Sequence, residues 1–504
     1  MGESEAKDDE QRGPSQPLVW VSTTYFAEGF PYALVNNVAD AVFQALGASV
    51  QAIGLTALFH LPWNIKFLWA PPLDRYSTKR SFIIGCEVAI LAMVLLLALM
   101  GETPLLWWLS IMFVLVAFTS ATHDIAIDGY YLEALDERGR AKYVGFRAAA
   151  YRTAVASAAG GVLIVMGYAG LRVGWLVAAA VVAVLVVYHR LFLPRVERSL
   201  APLRSWLTRG RGRAIAMVLA AAAAVALLQW RTGVLSSLRR LVVEAIAPIP
   251  FFGSLSLEGW IALVLLTTVV VVLAMLGRIH RAMARRDSPY ARAFVDLLAQ
   301  PQMGRVLAFI ILFRLGESFL MKMRTPFLLE PGPGALSMEA YGIVNGTVGM
   351  IATLLATIVG GWLISRHGLR RWLWPFVLAQ NIPNLLYAWA ASQPDPSALG
   401  VLGLGAVVVG EDIGAGLGTA VFLVYIMRCV DPRHKATHMA VLTAIMSIGF
   451  TLAGVASGFL ADALGFGWYF LLTFAATIPS MILMPFVPHL DDPPTNPAKP
   501  RADP

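Results

Sequence analysis

Glu28, Tyr32, Asn36 and Asp40 recur every four residues inside an otherwise apolar run, Leu18 to Ala41. That spacing puts all four on one face of a helix. Two carboxylates, a phenol and an amide in one stripe can bind a polar solute or pass on a proton. In lipid such a stripe must face protein or water, so a cavity wall is one reading and helix–helix hydrogen bonding the other. His60 and Asn64 share a face in the second run, with Pro62 between them to free a carbonyl and bend the helix, and Lys66 beyond. The fourth run ends in His123-Asp124-Ile125-Ala126-Ile127-Asp128, and Arg147 and Arg152 open the fifth. Those charges can form a gate, a fixed ion pair or a proton carrier. Arg314 and Glu317 lie three residues apart; they can neutralise each other, or Arg314 can grip a substrate carboxylate with two N–H groups. Lys322 and Arg324 are expected to snorkel at the helix end. Gln380 and Asn384 share a face around Pro383. Glu411 and Asp412 are adjacent, about 100° apart on a helix, so one of the two is expected to face a cavity.

Other chemistries find less support. Gly414, Gly416 and Gly418 follow no strand, so they read as close helix packing rather than a nucleotide loop. His434 and His438 have metal-ligand spacing, but His434 is followed by Lys435 and no further ligands stand out, so no metal is expected. No catalytic nucleophile–base motif, soluble catalytic domain or cofactor is expected.

The elements that position these residues are apolar runs of about twenty residues, each long enough to cross a bilayer as a helix. They fall near 18–43, 50–71, 82–101, 105–127, 143–168 and 172–193, then 214–230 and 258–277. Six more follow near 305–328, 340–364, 372–391, 399–428, 436–462 and 467–488. The total is roughly fourteen spans, an all-α polytopic membrane protein. Composition agrees: 58% of residues are hydrophobic and 14% charged, against ~45–50% and ~25% in soluble domains. Charged residues inside the runs each cost at least ~2.5 kcal/mol on insertion scales, which marks them as a path or a site.

The net charge of +8 does not point to nucleic acid, because Lys and Arg gather in short loops on one side of the spans. That side is expected to be cytoplasmic and to carry both termini. Arg172 and the stretch 231–257, read as an interfacial helix, are the exceptions. Cys86 and Cys429 are far apart, so no structural disulfide is expected. The acidic first residues lack the basic region of a signal peptide, and the first span is expected to stay.

A short basic turn follows the second span (Leu73-Asp74-Arg75-Tyr76-Ser77-Thr78-Lys79-Arg80) and recurs after the second span beyond Arg305 (Ser365-Arg366-His367-Gly368-Leu369-Arg370-Arg371). Repeated halves with a site between them are the usual plan of major facilitator transporters. The expected units are a disordered N-terminus (1–17), a six-helix bundle (18–200), a linker with two extra transmembrane helices (201–300), a second six-helix bundle (301–488) and a disordered tail (489–504).

At several motifs the chain resembles the AmpG-type muropeptide permeases of the major facilitator superfamily, near the acetyl-CoA transporter branch. They are Phe26-Ala27-Glu28-Gly29-Phe30-Pro31, Leu61-Pro62-Trp63-Asn64-Ile65-Lys66-Phe67-Leu68-Trp69-Ala70-Pro71, His123 to Tyr130, Arg314 to Phe319, and Glu411 to Thr419. The resemblance implies import of anhydro-muropeptides (an N-acetylglucosamine–anhydro-N-acetylmuramic acid unit, with or without peptide) with protons, across the bacterial inner membrane, by a functional monomer. Acetyl-CoA or another anionic solute is the alternative substrate, and a membrane-embedded sensor or enzyme the alternative class. His123 and Asp412 depart from the family's usual Gln and amide, which makes this interior more ionisable. The residues expected to bind substrate are Glu28, Tyr32, Asn36, His60, Asn64, Arg314, Glu317, Gln380 and Glu411. Those expected to carry protons or gate are Glu28, Asp124, Asp128, Arg147, Glu317 and Glu411.

Overall fold

A computed structural model describes residues 16–66, 69–70, 73, 78–100, 106–196, 257–285, 289–431 and 435–490. The expected span 214–230, most of segment 231–257, half of the first basic turn and most of both tails lie outside them.

The first half begins with α1, which runs Pro17–Ala33, widens into a π turn at Leu34–Val38 and continues as Ala39–Ala45. Pro31 has no N–H to donate back along the helix, and the widened turn begins three residues later. α2 comprises Val50–Leu55, a 3₁₀ stretch Thr56–His60 and Leu61–Ile65, so the tightened turn stops just before Pro62. α3 (Lys79–Met100), α4 (Leu106–Ala134), α5 (Glu137–Ala156, π-wound Ser157–Val162, Leu163–Ala169) and α6 (Leu171–Phe192) complete this half. α4 extends past the expected boundary at 127 because Tyr130, Tyr131 and Ala134 are buried against neighbouring helices. Asp124 and Asp128 therefore lie within the helix rather than at its end.

α7 (Leu257–Ala284) touches α2 and the short α8 (Pro289–Ala299), and exposes Ile261, Val264, Val271 and Met275. Sequence reading placed only a basic connection where α8 forms. Burial of Ala291 and Leu297, and packing on later helices, hold that amphipathic turn in place.

The second half contains α9 (Met303–Leu328), α10 (Met338–Tyr341, π-wound Gly342–Gly349, Met350–His367), α11 (Leu369–Asn381 and Asn384–Ala391) and α12 (Gly400–Arg428). α13 (Lys435–Ala475) is broken at Gly465, whose φ of 72° needs glycine. Its second arm and α14 (Ile478–Leu483) form the last crossing, so the break falls between the expected spans 436–462 and 467–488.

At the face where α1 starts, here the near face, each half has its own apolar core. Trp20, Ile83 and Tyr130 belong to the first, and Met303, Leu369 and Tyr425 to the second. Toward the far face a single core runs through both, joining Val38, Leu163 and Trp175 to Leu320, Phe327 and Tyr341. The π turns of α5 and α10 pack on each other there, so closely that a Cβ on Gly346 would lie 2.0 Å from the Ala159 carbonyl oxygen. Small residues allow this approach. Gln44 donates to the Leu329 carbonyl at 3.2 Å, and Gln51 to Asp462 at 2.8 Å. The halves are thus joined at the far face and cored separately at the near face.

Candidate functional site

Between the halves lies a cavity of about 640 Å³. α1, α2 and α5 form one wall; α9, α10 and α13 form the other. The whole α1 stripe, Glu28, Tyr32, Asn36 and Asp40, lines it, and so does His60. The 3₁₀ stretch of α2 turns His60 inward, where Nδ1 meets Asn36 Oδ1 at 3.0 Å and Nε2 meets Ser447 Oγ at 2.7 Å. Asn64 is buried and donates to Thr451 Oγ1 at 3.2 Å, across the boundary between the halves. Tyr32 centres an aromatic group with His60, Trp63 and Tyr151, at ring separations of 5.8, 5.1 and 5.8 Å.

Toward the near face, Glu28, Asp124 and Asp128 bring carboxylate oxygens within 4.8 Å of one another. Lys66 pairs with Asp124, and Arg147 with Asp128 at 2.9 Å. The Tyr25 hydroxyl also donates to Asp128, at 2.8 Å, and the Arg147 guanidinium lies over the Tyr25 ring. Glu28 Oε2 is buried and has no hydrogen-bond partner among the described residues. Three carboxylates thus face two cations. Every partner in this cluster among the described residues belongs to the first half, so none of them joins the halves here. Arg152, expected to share it, instead lines the cavity.

Lys322 and Arg324 do not snorkel. The end of α9 sits in the shared core, with Leu320, Met323 and Phe327 fully buried, so neither side chain runs out along the helix to the membrane surface. Both cations are paired instead. Lys322 donates to both Asp40 oxygens at 2.8 Å and to Thr56 Oγ1 at 2.5 Å, which ties the second half to the first. Arg324 Nη1 donates to Glu411 at 2.7 Å and Asp412 at 3.1 Å. The expectation that only one of these carboxylates would turn inward is therefore corrected: a guanidinium between them engages both, and neither lines the cavity.

Arg314 and Glu317 also lie outside the lining. They pair with each other, and Arg314 Nη2 donates to Thr419 at 3.1 Å. Gln380 is buried against the glycines of α12, where a Cβ on Gly418 would fall 1.6 Å from its Oε1. His438 is buried and accepts from the Asp431 N–H at 3.2 Å; His434 lies outside the described residues.

One cluster escaped sequence reading. Glu87 Oε1 lies 2.5 Å from His189 Nδ1 and 3.5 Å from His123 Nε2, with all three residues at 2% exposure or less. A Glu inside the third apolar run, and a His near the end of the sixth, were the available signals.

A known family model, the Major Facilitator Superfamily, matches residues 303–504. The anhydromuropeptide permease of Escherichia coli K12 is 25% identical over 466 residues, covering 91% of this chain and 77% of that one. A putative transporter, AmpG 4, of Rickettsia conorii is 21% identical over 469 residues, covering 91% and 93%. The chain is thus similar to AmpG-type transporters of the major facilitator superfamily. Its fold also matches the crystal structure of a POT family transporter in complex with 5-aminolevulinic acid. The TM-score is 0.65 at 16% identity, over 94% of this chain and 96% of that one. The protein is an all-α, multi-pass membrane protein and a secondary transporter, so its substrate is a small molecule.

Proposed function

We propose that this transporter imports anhydro-muropeptides across the bacterial inner membrane, together with protons, by alternating access. The observation that carries the reading is the cavity itself: it lies between two repeated halves, is lined by a polar stripe, and is bounded by joined helices on one side only. The basic loops lie on the near face, which the positive-inside rule makes cytoplasmic, so this conformation faces inward and both termini lie inside. Residues 18–200 and 301–488 act as the two rocking bundles, with 201–300 as an inserted linker.

Glu28 is the proposed proton carrier. It reaches the cavity, and it is the member of the acidic cluster left with an unpartnered buried oxygen. A proton there relieves the surplus of carboxylates over cations. Tyr32 and its aromatic neighbours offer flat faces to sugar rings. Each chain has its own cavity, which supports a functional monomer.

Proteoliposome uptake tests the reading. Labelled GlcNAc–anhydroMurNAc should accumulate when the outside is acidified, and unlabelled muropeptide should compete better than acetyl-CoA. Uptake of acetyl-CoA with no muropeptide competition would replace this reading with the acyl-donor one.

A further inference from the structure

Among the described residues four Lys and Arg side chains line the cavity, and three are matched by acids. Arg147 has Asp128, Lys322 has Asp40, and Arg324 has Glu411 and Asp412. The fourth, Arg152 of α5, makes no hydrogen bond or ion pair among the described residues. A guanidinium held within a membrane protein without a counter-charge is costly and marks a place where an anion spends part of its time. Its surroundings qualify the anion further. Tyr151 precedes it and Tyr32 lies beside Tyr151, with ring centroids 5.8 Å apart, and both rings line the same cavity.

We propose that Arg152 binds the acidic group of the transported molecule, while Tyr32 and Tyr151 receive an adjoining ring face. The ligand class is a carboxylate or phosphate attached to a sugar-like ring. Identifying that ligand as an anhydro-muropeptide rests on the function proposed above; the anion site does not. A planar guanidinium can meet a carboxylate or phosphate with two parallel N–H groups, which an ammonium cannot do.

The test uses the full-length protein and has two arms. Ala148 lines the cavity four residues before Arg152, on the same helical face. In Ala148→Cys, labelling rates are compared for a sulfonate-bearing and a trimethylammonium-bearing methanethiosulfonate, corrected for reaction of the parent chain. Adding Arg152→Gln should lower the sulfonate-to-ammonium rate ratio about tenfold, as expected for losing one unit charge nearby. Arg152→Lys should preserve it. In the second arm, binding of GlcNAc–anhydroMurNAc, its carboxyl methyl ester and acetyl-CoA is measured by calorimetry. Arg152→Gln should weaken the free acid about ten- to hundredfold. The ester should bind the unaltered protein weakly and ignore the substitution.

Because Arg152 has no hydrogen bond or ion pair to lose among the described residues, Arg152→Gln is expected to fold. An unchanged labelling ratio would overturn the anion site, and so would equal binding of acid and ester. If the ratio falls but only acetyl-CoA binds, and binds Arg152-dependently, the anion is phosphate. The anion site then stands and the muropeptide reading fails.

Discussion

Neighbouring residues of α4 enter two different charge clusters. Asp124 turns toward Lys66, Glu28 and the cavity, whereas His123 turns into the bundle toward Glu87 and His189. Both clusters are largely buried, yet their surroundings differ. The first includes cations with one-third or more of the side chain exposed, 33% for Lys66 and 37% for Arg147, and it lies beside a solute-sized space. The second is sealed by α3, α4 and α6, and none of its residues lines the cavity. Its carboxylate lies against two imidazoles contributed by two other helices, so it can act as a fixed brace. Burial of charge therefore does not tell the two clusters apart; contact with the cavity does.

The sharpest way to break that distinction is Glu28→Gln. Gradient-driven accumulation should be lost altogether while counterflow of substrate and the melting temperature are retained, because Glu28 Oε2 holds no partner. Uptake against a gradient by this variant would remove Glu28 from the coupling path. The sealed cluster should behave in the opposite way. Glu87→Leu strands two imidazoles and should cost about 3–5 kcal/mol of stability. Uptake per folded molecule should be unchanged. Adding His123→Leu and His189→Leu should restore much of the loss, since apolar packing often replaces a buried ion pair well. Melting curves in detergent decide; full stability in Glu87→Leu would show that the cluster braces nothing.

A smaller effect is expected from the tie between the halves. Lys322→Met with Asp40→Asn removes an ion pair that holds the far face closed. The population should shift toward opening at that face, raising the labelling of Asn37→Cys by a membrane-impermeant reagent from outside about fivefold or more. Asn37 lines the cavity, so its labelling reports entry from the far face. Unaltered labelling would mean that apolar packing alone keeps the face closed.

Much of this was legible in the residues. Period-four polarity in α1 predicted a single face, and Glu28, Tyr32, Asn36 and Asp40 share one. Gly465 interrupts α13 where the two last runs were separated. What could not be read was which partner each charge would choose. Lys322 and Arg324 were assigned to a helix end by their position in the chain. Whether that end meets water or a second bundle depends on tertiary contact, and here Asp40 lies 282 residues away. The Glu87–His123–His189 cluster had the same difficulty, because three separate runs contribute one residue each. Local periodicity reports faces; it cannot report which faces meet.

Arg314 gives the finest discrimination and the smallest expected effect. The sequence makes it the expected anion ligand, lying within a span and three residues before Glu317. In the structure its charge is met by Glu317 on its own helix, its Nη2 by Thr419, and its guanidinium lies 5.2 Å from the Phe422 ring centroid, all outside the cavity lining. A cation needed only as a partner for Glu317 can be replaced by another cation. Arg314→Lys should therefore leave substrate affinity within about twofold, whereas a bidentate ligand would not tolerate the exchange. Arg314→Met alone should destabilise the fold by leaving Glu317 uncompensated, and Glu317→Gln added to it should recover folding and most of the uptake. The side chains are 20% and 16% exposed, so the penalty for the single change should fall below that of a fully sealed pair. A severe loss of affinity in a folded Arg314→Lys protein would place Arg314 on the substrate's path and give the anion a second anchor besides Arg152.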